Sequence, residues 1–224
     1  MNLRSLQQAL ELAVQPHDTL THPFYRAWSD GRLTRDDLAW YAAQYRHSVE
    51  ALPELLRSAR RRTEDAETRS GLGRNLDEEE GRVGEPHARL WEGFARAVGA
   101  EEERPLPETQ ASMDRLAELV EAGEVSALAA LWAYEAQTAR VSESKLAGLR
   151  RYDIEAPEAV GFFRVHQELD LHHAQDLLEG LGRACQRTGA SVDDACAAAT
   201  AAARAQWLFL DGVERRRQAA SAVA

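Results

Sequence analysis

The chain has 224 residues, 44% of them hydrophobic and 29% charged, with a formal net charge of −10. That length and balance suit a single globular domain over residues 1–224. The acidic surplus argues against nucleic acid or an anionic membrane as the main partner, and no apolar run approaches a membrane span.

Alanine and leucine abound while isoleucine is almost absent, which favours helices over strands. A first helix is expected from near Leu3 to Gln15, stopped by Pro16. Its sequence, MNLRSLQQALELAVQ, is amphipathic and lacks the continuous apolar core of a signal peptide, so the cytoplasm is the expected compartment. A short helix holds HPFYRAWSDG and ends near Gly31. Thr34 then caps a longer helix, with Asp36 and Asp37 in its first turn favoured by the helix dipole. Leu38, Tyr41, Tyr45 and Val49 follow at helical spacing, and Pro53 is expected to kink the helix. Further helices are expected from near Glu64 to Glu80 and from His87 to Val98, separated by Gly81, Gly84 and Pro86.

Residues 99–111 read as a loop, marked by two prolines and a charge run. Helix is expected from Ser112 to Ala122, with Gly123 as a stop, and again from near Val125 to Arg150. Pro157 opens another helix, and Ser191 with Asp194 caps the last, which reaches the basic stretch Arg215–Arg217. Residues 218–224 read as a frayed tail. The architecture expected is all-α, a bundle of seven or eight helices. Cys185 and Cys196 are too few for a disulfide framework or a thiolate zinc site and read as small buried residues. Trp40, Trp91, Trp132 and Trp207 read as core, and His22 and His47 as structural.

The chemistry concentrates in FFRVHQELDLHHAQDL, residues 162–177. His166, Asp170 and His173 are spaced i, i+4 and i+7, within about 60° of one another on one helical stripe. The stripe offers two imidazoles and a carboxylate, all ligands for first-row metals, although spacing alone favours a solvated face. Metal sites in bundles draw buried carboxylates from facing helices. Glu135, alone between Ala133 and Ala136 in LWAYEAQ, is costly to bury unless paired or bound to a cation. NLDEEEG adds Glu78, Glu79 and Glu80 at a helix end, and His87 follows the break. Together these residues can supply the carboxylate-rich nitrogen and oxygen donors of a dimetal, oxygen-activating centre.

The stretches HPFYRAWSDGRLTRDDLAWYAAQYRH, NLDEEEG…PHARLWEGFARAVG, LWAYEAQTARVSESK and HQELDLHHAQD occur in that order. In this the chain resembles the heme-oxygenase-like helical superfamily that includes thiaminase II (TenA) and the PQQ-synthesis oxidase PqqC. Within it, the chain is most similar to the Chlamydia protein associating with death domains (CADD) and its bacterial relatives, over about residues 5–215. The first stretch is shared across the superfamily; the acidic and histidine motifs are specific to the diiron-oxidase branch. The resemblance implies Glu79, His87, Glu135, His166, Asp170 and His173 as metal ligands. The loop between Glu79 and His87 looks one residue longer than the family's, so counting back from His87 would give Glu80. Glu79 is favoured because an insertion in a glycine-rich loop costs less than a shifted helix register.

The CADD-like proteins are implicated in making p-aminobenzoate for folate, with the ring taken from a tyrosine of the protein itself in a single turnover. The resemblance then implies Tyr25 as the sacrificed residue, Lys145 as the amino donor, and Tyr41 and Tyr134 as tyrosines near the site. Read from the residues alone, Tyr25 is a core aromatic and Lys145 a surface lysine. The implied cofactors are two divalent ions, iron or iron with manganese, and the co-substrates dioxygen and an external reductant. The implied partners are small molecules and a second copy of the chain in a homodimer. Phe162 departs from the family, which has a tyrosine there in its chlamydial member. Two other readings stand beside this one: a diiron oxidase acting on a free small molecule, and a non-catalytic helical interaction module. A thiaminase-type hydrolase is disfavoured, because neither cysteine is placed to serve as its nucleophile.

Overall fold

A computed structural model describes residues 2–222. Among them are nine α-helices and no strand: α1 Leu3–Val14, α2 Pro23–Ser29, α3 Arg35–Arg62, α4 Ala66–Glu79, α5 His87–Val98, α6 Pro107–Glu121, α7 Glu124–Leu149, α8 Pro157–Thr188 and α9 Val192–Ser221. Short 3-10 turns at Gln15–His17, Thr19–Thr21 and Arg150–Tyr152 complete the chain. The nine helices exceed the seven or eight expected of the bundle; the short α2 anticipated in HPFYRAWSDG is one of them, held by its own caps.

The helix starts follow from local chemistry. Thr34 and Asp37 form a capping box at α3, and Ser191 and Asp194 form another at α9. His22 caps α2 by accepting the Phe24 amide on Nδ1, and His47 meets the Glu103 carbonyl at 2.9 Å, so both serve the scaffold. α6 begins at Pro107 rather than near Ser112, because Pro107 sits at the first helical position, where its missing N–H costs nothing. α3 continues through Pro53 as one helix. α9 runs to Ser221, so residues 218–221 continue the helix rather than fray; residues 223–224 lie outside the described residues.

α7 is buried nearly all round and packs most extensively against α8. Two hydrophobic clusters form around this pair. One is aliphatic, with Leu6, Leu10, Leu56, Leu128, Leu131 and Leu181. The other is aromatic, with Phe24, Trp28, Tyr41, Trp91, Phe94 and Phe163. Along α8, Phe163 belongs to the aromatic cluster and Leu177 to the aliphatic one. His166, Asp170 and His173 occupy the buried positions between them. Trp91 and Trp132 are core, as their sequence context implies, whereas Trp40 and Trp207 are half-buried: Arg216 covers the face of Trp40, and Trp207 packs edge-on against His22. Cys185 is buried and Cys196 only partly so.

α5 and α8 approach closely at Gly93, where an added Cβ would lie 2.1 Å from the Glu158 carbonyl oxygen. Such a contact can be relieved only by moving one helix. Gly93→Ala is expected to destabilise the fold by about 1–3 kcal/mol. Chemical denaturation should read this loss; an unchanged midpoint would show that the two helices are not locked together here.

Candidate metal centre

The site is assembled from four helices. Glu79 is the last residue of α4, and His87 is the first of α5. The chain turns between them at Gly81, whose φ of +70° is left-handed and whose Cβ, if present, would strike Pro86 at 2.4 Å. α7 contributes Glu135, and α8 contributes His166, Asp170 and His173. All six side chains are buried, between 1% and 8% exposed.

They gather in two groups, each able to bring three ligand atoms within 4.8 Å of one another: Glu79, His87 and His166; and Glu135, Asp170 and His173. In the first, His87 Nδ1 lies 2.8 Å from Glu79 Oε1, yet without the alignment of a hydrogen bond. Two donor atoms meeting in this way are arranged as ligands of one cation would be. His166 Nε2 lies 4.0 Å from the same oxygen. Its Nδ1 is 2.7 Å from the Phe162 carbonyl, a contact in which Nδ1–H donates and Nε2 keeps its lone pair. Burial holds the His166 pKa well below its ordinary value, favouring the neutral imidazole that metals bind.

In the second group, His173 Nδ1 lies 3.6 Å from Asp170 Oδ1 and 3.9 Å from Glu135 Oε2. These gaps are too long for hydrogen bonds and short enough for strong attraction. Burial works against charge on His173, but Asp170 and Glu135 outweigh it and lift its pKa to about 11. Burial, reinforced by Glu135, raises the Asp170 pKa well above the usual carboxylate range, and burial raises that of Glu79. The Asn75 amide donates to Glu135 Oε1 at 2.9 Å, and His173 Nε2 meets Glu78 Oε2 at 2.8 Å. Glu80 lies outside the groups and pairs with Arg57 and Arg82. Glu79 rather than Glu80 therefore stands among the grouped ligand atoms.

The residues fit a pair of metal ions. Asp170 Oδ2, His87 Nδ1 and His173 Nδ1 are buried without hydrogen-bond partners. Three carboxylates buried together need compensating positive charge. The donors are nitrogen and oxygen with no thiolate, the set that iron and manganese accept.

Beside these groups lies a chamber of phenols. Tyr25 and Tyr41 share a hydrogen bond at 3.0 Å, and Tyr45 and Tyr134 share one at 2.7 Å. Tyr41 and Tyr45 stack with ring centroids 5.6 Å apart, linking the pairs. Burial raises the pKa of all four, so each remains a protonated phenol. Lys145 is buried as well, and its Nζ donates to the Tyr41 hydroxyl. It lies 4.8 Å from the centre of the Tyr25 ring and 4.6 Å from that of Tyr41. Burial, with no carboxylate to offset it, holds its pKa well below the ordinary lysine value. The surface location read from the sequence of Lys145 is thus corrected, because the apolar face of α7 extends past Val141. Phe162 lies stacked on His166 at 3.9 Å.

The structure brings together every residue that the motifs single out. Sequence reasoning passed over Tyr45 and Asn75 as site residues and named Glu78 only as part of the acidic run. The signal for Tyr45 was its i+4 spacing from Tyr41; Asn75 and Glu78 stand one turn and one residue before Glu79 on α4.

The sequence profile described as "Iron-containing redox enzyme" matches residues 39–207. The chain belongs to that family. It is 32% identical to a 4-aminobenzoate synthase of Nitrosomonas europaea, over 95% of this chain and 92% of that one. A 4-aminobenzoate synthase of Chlamydia muridarum is 35% identical over 78% of each chain. A Shewanella denitrificans domain of unknown function with a heme oxygenase-like fold superposes with a TM-score of 0.77 at 21% identity, covering 100% of this chain and 97% of that one. The heme-oxygenase-like fold expected from the motifs is thereby established. Among the described residues, no helix is long and apolar enough to cross a membrane.

Membership in an iron-containing family and the fit of the two groups lead to one expectation. Anaerobic addition of ferrous iron should raise the melting temperature, because a ligand held only by the folded state stabilises it. Glu135→Ala and His166→Ala should remove much of that rise and lower bound iron. Calorimetry with metal analysis checks both; a wild-type melt indifferent to iron, with no ion bound, would contradict the fit.

Proposed function

We propose that this chain forms 4-aminobenzoate from its own Tyr25, with Lys145 as nitrogen donor and two metal ions, iron or iron with manganese, at the paired groups. Bound there, the ions would supply activation of dioxygen, with an external reductant completing the electron balance. Glu79, His87 and His166 would hold one, and Glu135, Asp170 and His173 the other.

The observation that carries this reading is the position of Lys145. Its amine is pinned 4.8 Å from the Tyr25 ring in an aromatic enclosure, where burial disfavours the ammonium form. A neutral amine keeps a lone pair and is a nucleophile; an ammonium is not. 4-Aminobenzoate has the carbon skeleton of a tyrosine ring with its Cβ. Its formation from Tyr25 would break the Cα–Cβ bond, oxidise Cβ to a carboxyl group with dioxygen as the oxidant, and expel the phenol oxygen as water. The nitrogen would be taken by breaking the Lys145 Cε–Nζ bond, with Cε left as an aldehyde. Tyr41 would orient both reactants, since its hydroxyl touches the Tyr25 hydroxyl and the Lys145 amine. The enclosing Trp28, Tyr45 and Phe163 rings would exclude water from the amine.

The space beside Tyr25 supports an internal source of the ring. The cavity bordered by Tyr25, Tyr45, Tyr134 and Phe209 has a volume of about 40 Å³. That admits dioxygen or a few waters, while sites for organic ligands span roughly 300–1,000 Å³.

With iron, manganese, dioxygen and reductant, 4-aminobenzoate should appear at no more than one molecule per chain. Tyr25→Phe and Lys145→Met should each lower the rate of product formation at least ~100-fold, about 2.7 kcal/mol of barrier. Both variants should still take up metal. Product mass spectrometry checks this. Repeated turnover with an added small molecule, unaffected by Tyr25→Phe, would favour an oxidase of a free substrate.

A further inference from the structure

The last turn of α4 carries Asn75, Glu78 and Glu79 within an arc of about 100°. Only Glu79 belongs to one of the two ligand groups. Its two neighbours reach instead toward the other group, which has no ligand candidate of its own from α4. Asn75 is 3% exposed, and its amide occupies Oε1 of Glu135. That leaves Oε2 as the oxygen facing His173 Nδ1, 3.9 Å away. Glu78 is half-buried and meets His173 Nε2 at 2.8 Å. A carboxylate accepts and cannot donate when ionised, so the Nε2 proton is committed to Glu78 and Nδ1 is the nitrogen left for a metal to take. Nδ1 is also the nitrogen nearest Asp170 and Glu135.

We infer that Asn75 and Glu78 are positioning residues that select the metal-binding atoms of the Glu135–Asp170–His173 group. Asn75 chooses the carboxylate oxygen and Glu78 chooses the imidazole nitrogen. The inference rests on the two-metal reading above. It makes α4 a shared support: Glu79 serves one ion as a ligand, and the preceding turn serves the other through hydrogen bonds. The His87–Glu79–His166 group has its own orienting bond, from His166 Nδ1–H to the Phe162 carbonyl, and does not depend on Asn75 or Glu78.

Loss of an outer partner of a metal ligand lowers affinity about 10–100-fold. The test is an anaerobic titration of wild type, Glu78→Ala, Glu78→Gln and Asn75→Ala with manganous ion, followed by calorimetry and electron paramagnetic resonance. The melting temperature of each metal-free protein is measured alongside. Wild type should bind two ions per chain. Glu78→Ala and Asn75→Ala should weaken one of them about 10–100-fold and leave the other within about threefold. Glu78→Gln should restore the weakened ion, because its amide oxygen accepts the same bond. The metal-free melting temperatures should differ little, since a merely structural role would lower them. Two ions weakened equally, or neither, or a Glu78→Gln variant as weak as Glu78→Ala, would overturn the inference. A wild type that takes up fewer than two ions would overturn the two-metal reading itself, before any variant is compared.

Discussion

The structure depends on the electrostatic constraint of burying three carboxylates and three imidazoles in the middle of a helical bundle. Glu79, Glu135 and Asp170 are each at most 5% exposed, and burial alone makes their charged forms costly. The helices answer with geometry. α8 delivers both imidazole and carboxylate from one stripe, and α7 presents a single acid within an otherwise apolar surface. The α4–α5 turn brings a glutamate and a histidine together across a left-handed glycine. A pair of divalent cations would resolve the charge and engage the unpartnered atoms together.

The same burial has the opposite effect in the neighbouring chamber. There it keeps phenols protonated and disfavours charge on the lysine amine. The two environments meet along α7, where Tyr134 precedes Glu135 in sequence. Tyr134 shares a hydrogen bond with Tyr45, which stacks on Tyr41, which in turn touches both Tyr25 and Lys145. One helix therefore joins the buried polar groups to an apolar compartment holding an amine against an aromatic ring. Phe162 packs on His166 and meets the Tyr45 ring edge-on, and the hydroxyl-bearing contacts run through Tyr45 instead.

Much of this was legible in the sequence, for identifiable reasons. The histidine–aspartate stripe announces itself by helical periodicity, and Glu135 by its isolation among apolar neighbours. The choice between Glu79 and Glu80 is different: adjacent glutamates differ by one step of rotation, and only the fold shows Glu80 turned toward Arg57 and Arg82. Asn75 and Tyr45 escaped notice because their partners lie 60 and 89 residues away. Nothing local marks such a bond. Tyr25 and Lys145 are ordinary residues by composition, and only the family motifs directed attention to them. The start of α6 was missed because proline reads as a loop residue, although the first turn of a helix accommodates it well.

The most direct test follows atoms rather than rates. Protein prepared with heavy-carbon ring-labelled tyrosine and heavy-nitrogen side-chain-labelled lysine would be loaded with metal, exposed to dioxygen and reductant, and its 4-aminobenzoate weighed. Both labels in the product, with matching mass changes at residues 25 and 145, is the predicted result. Unlabelled 4-aminobenzoate, or an intact Tyr25 after product has formed, would contradict the account.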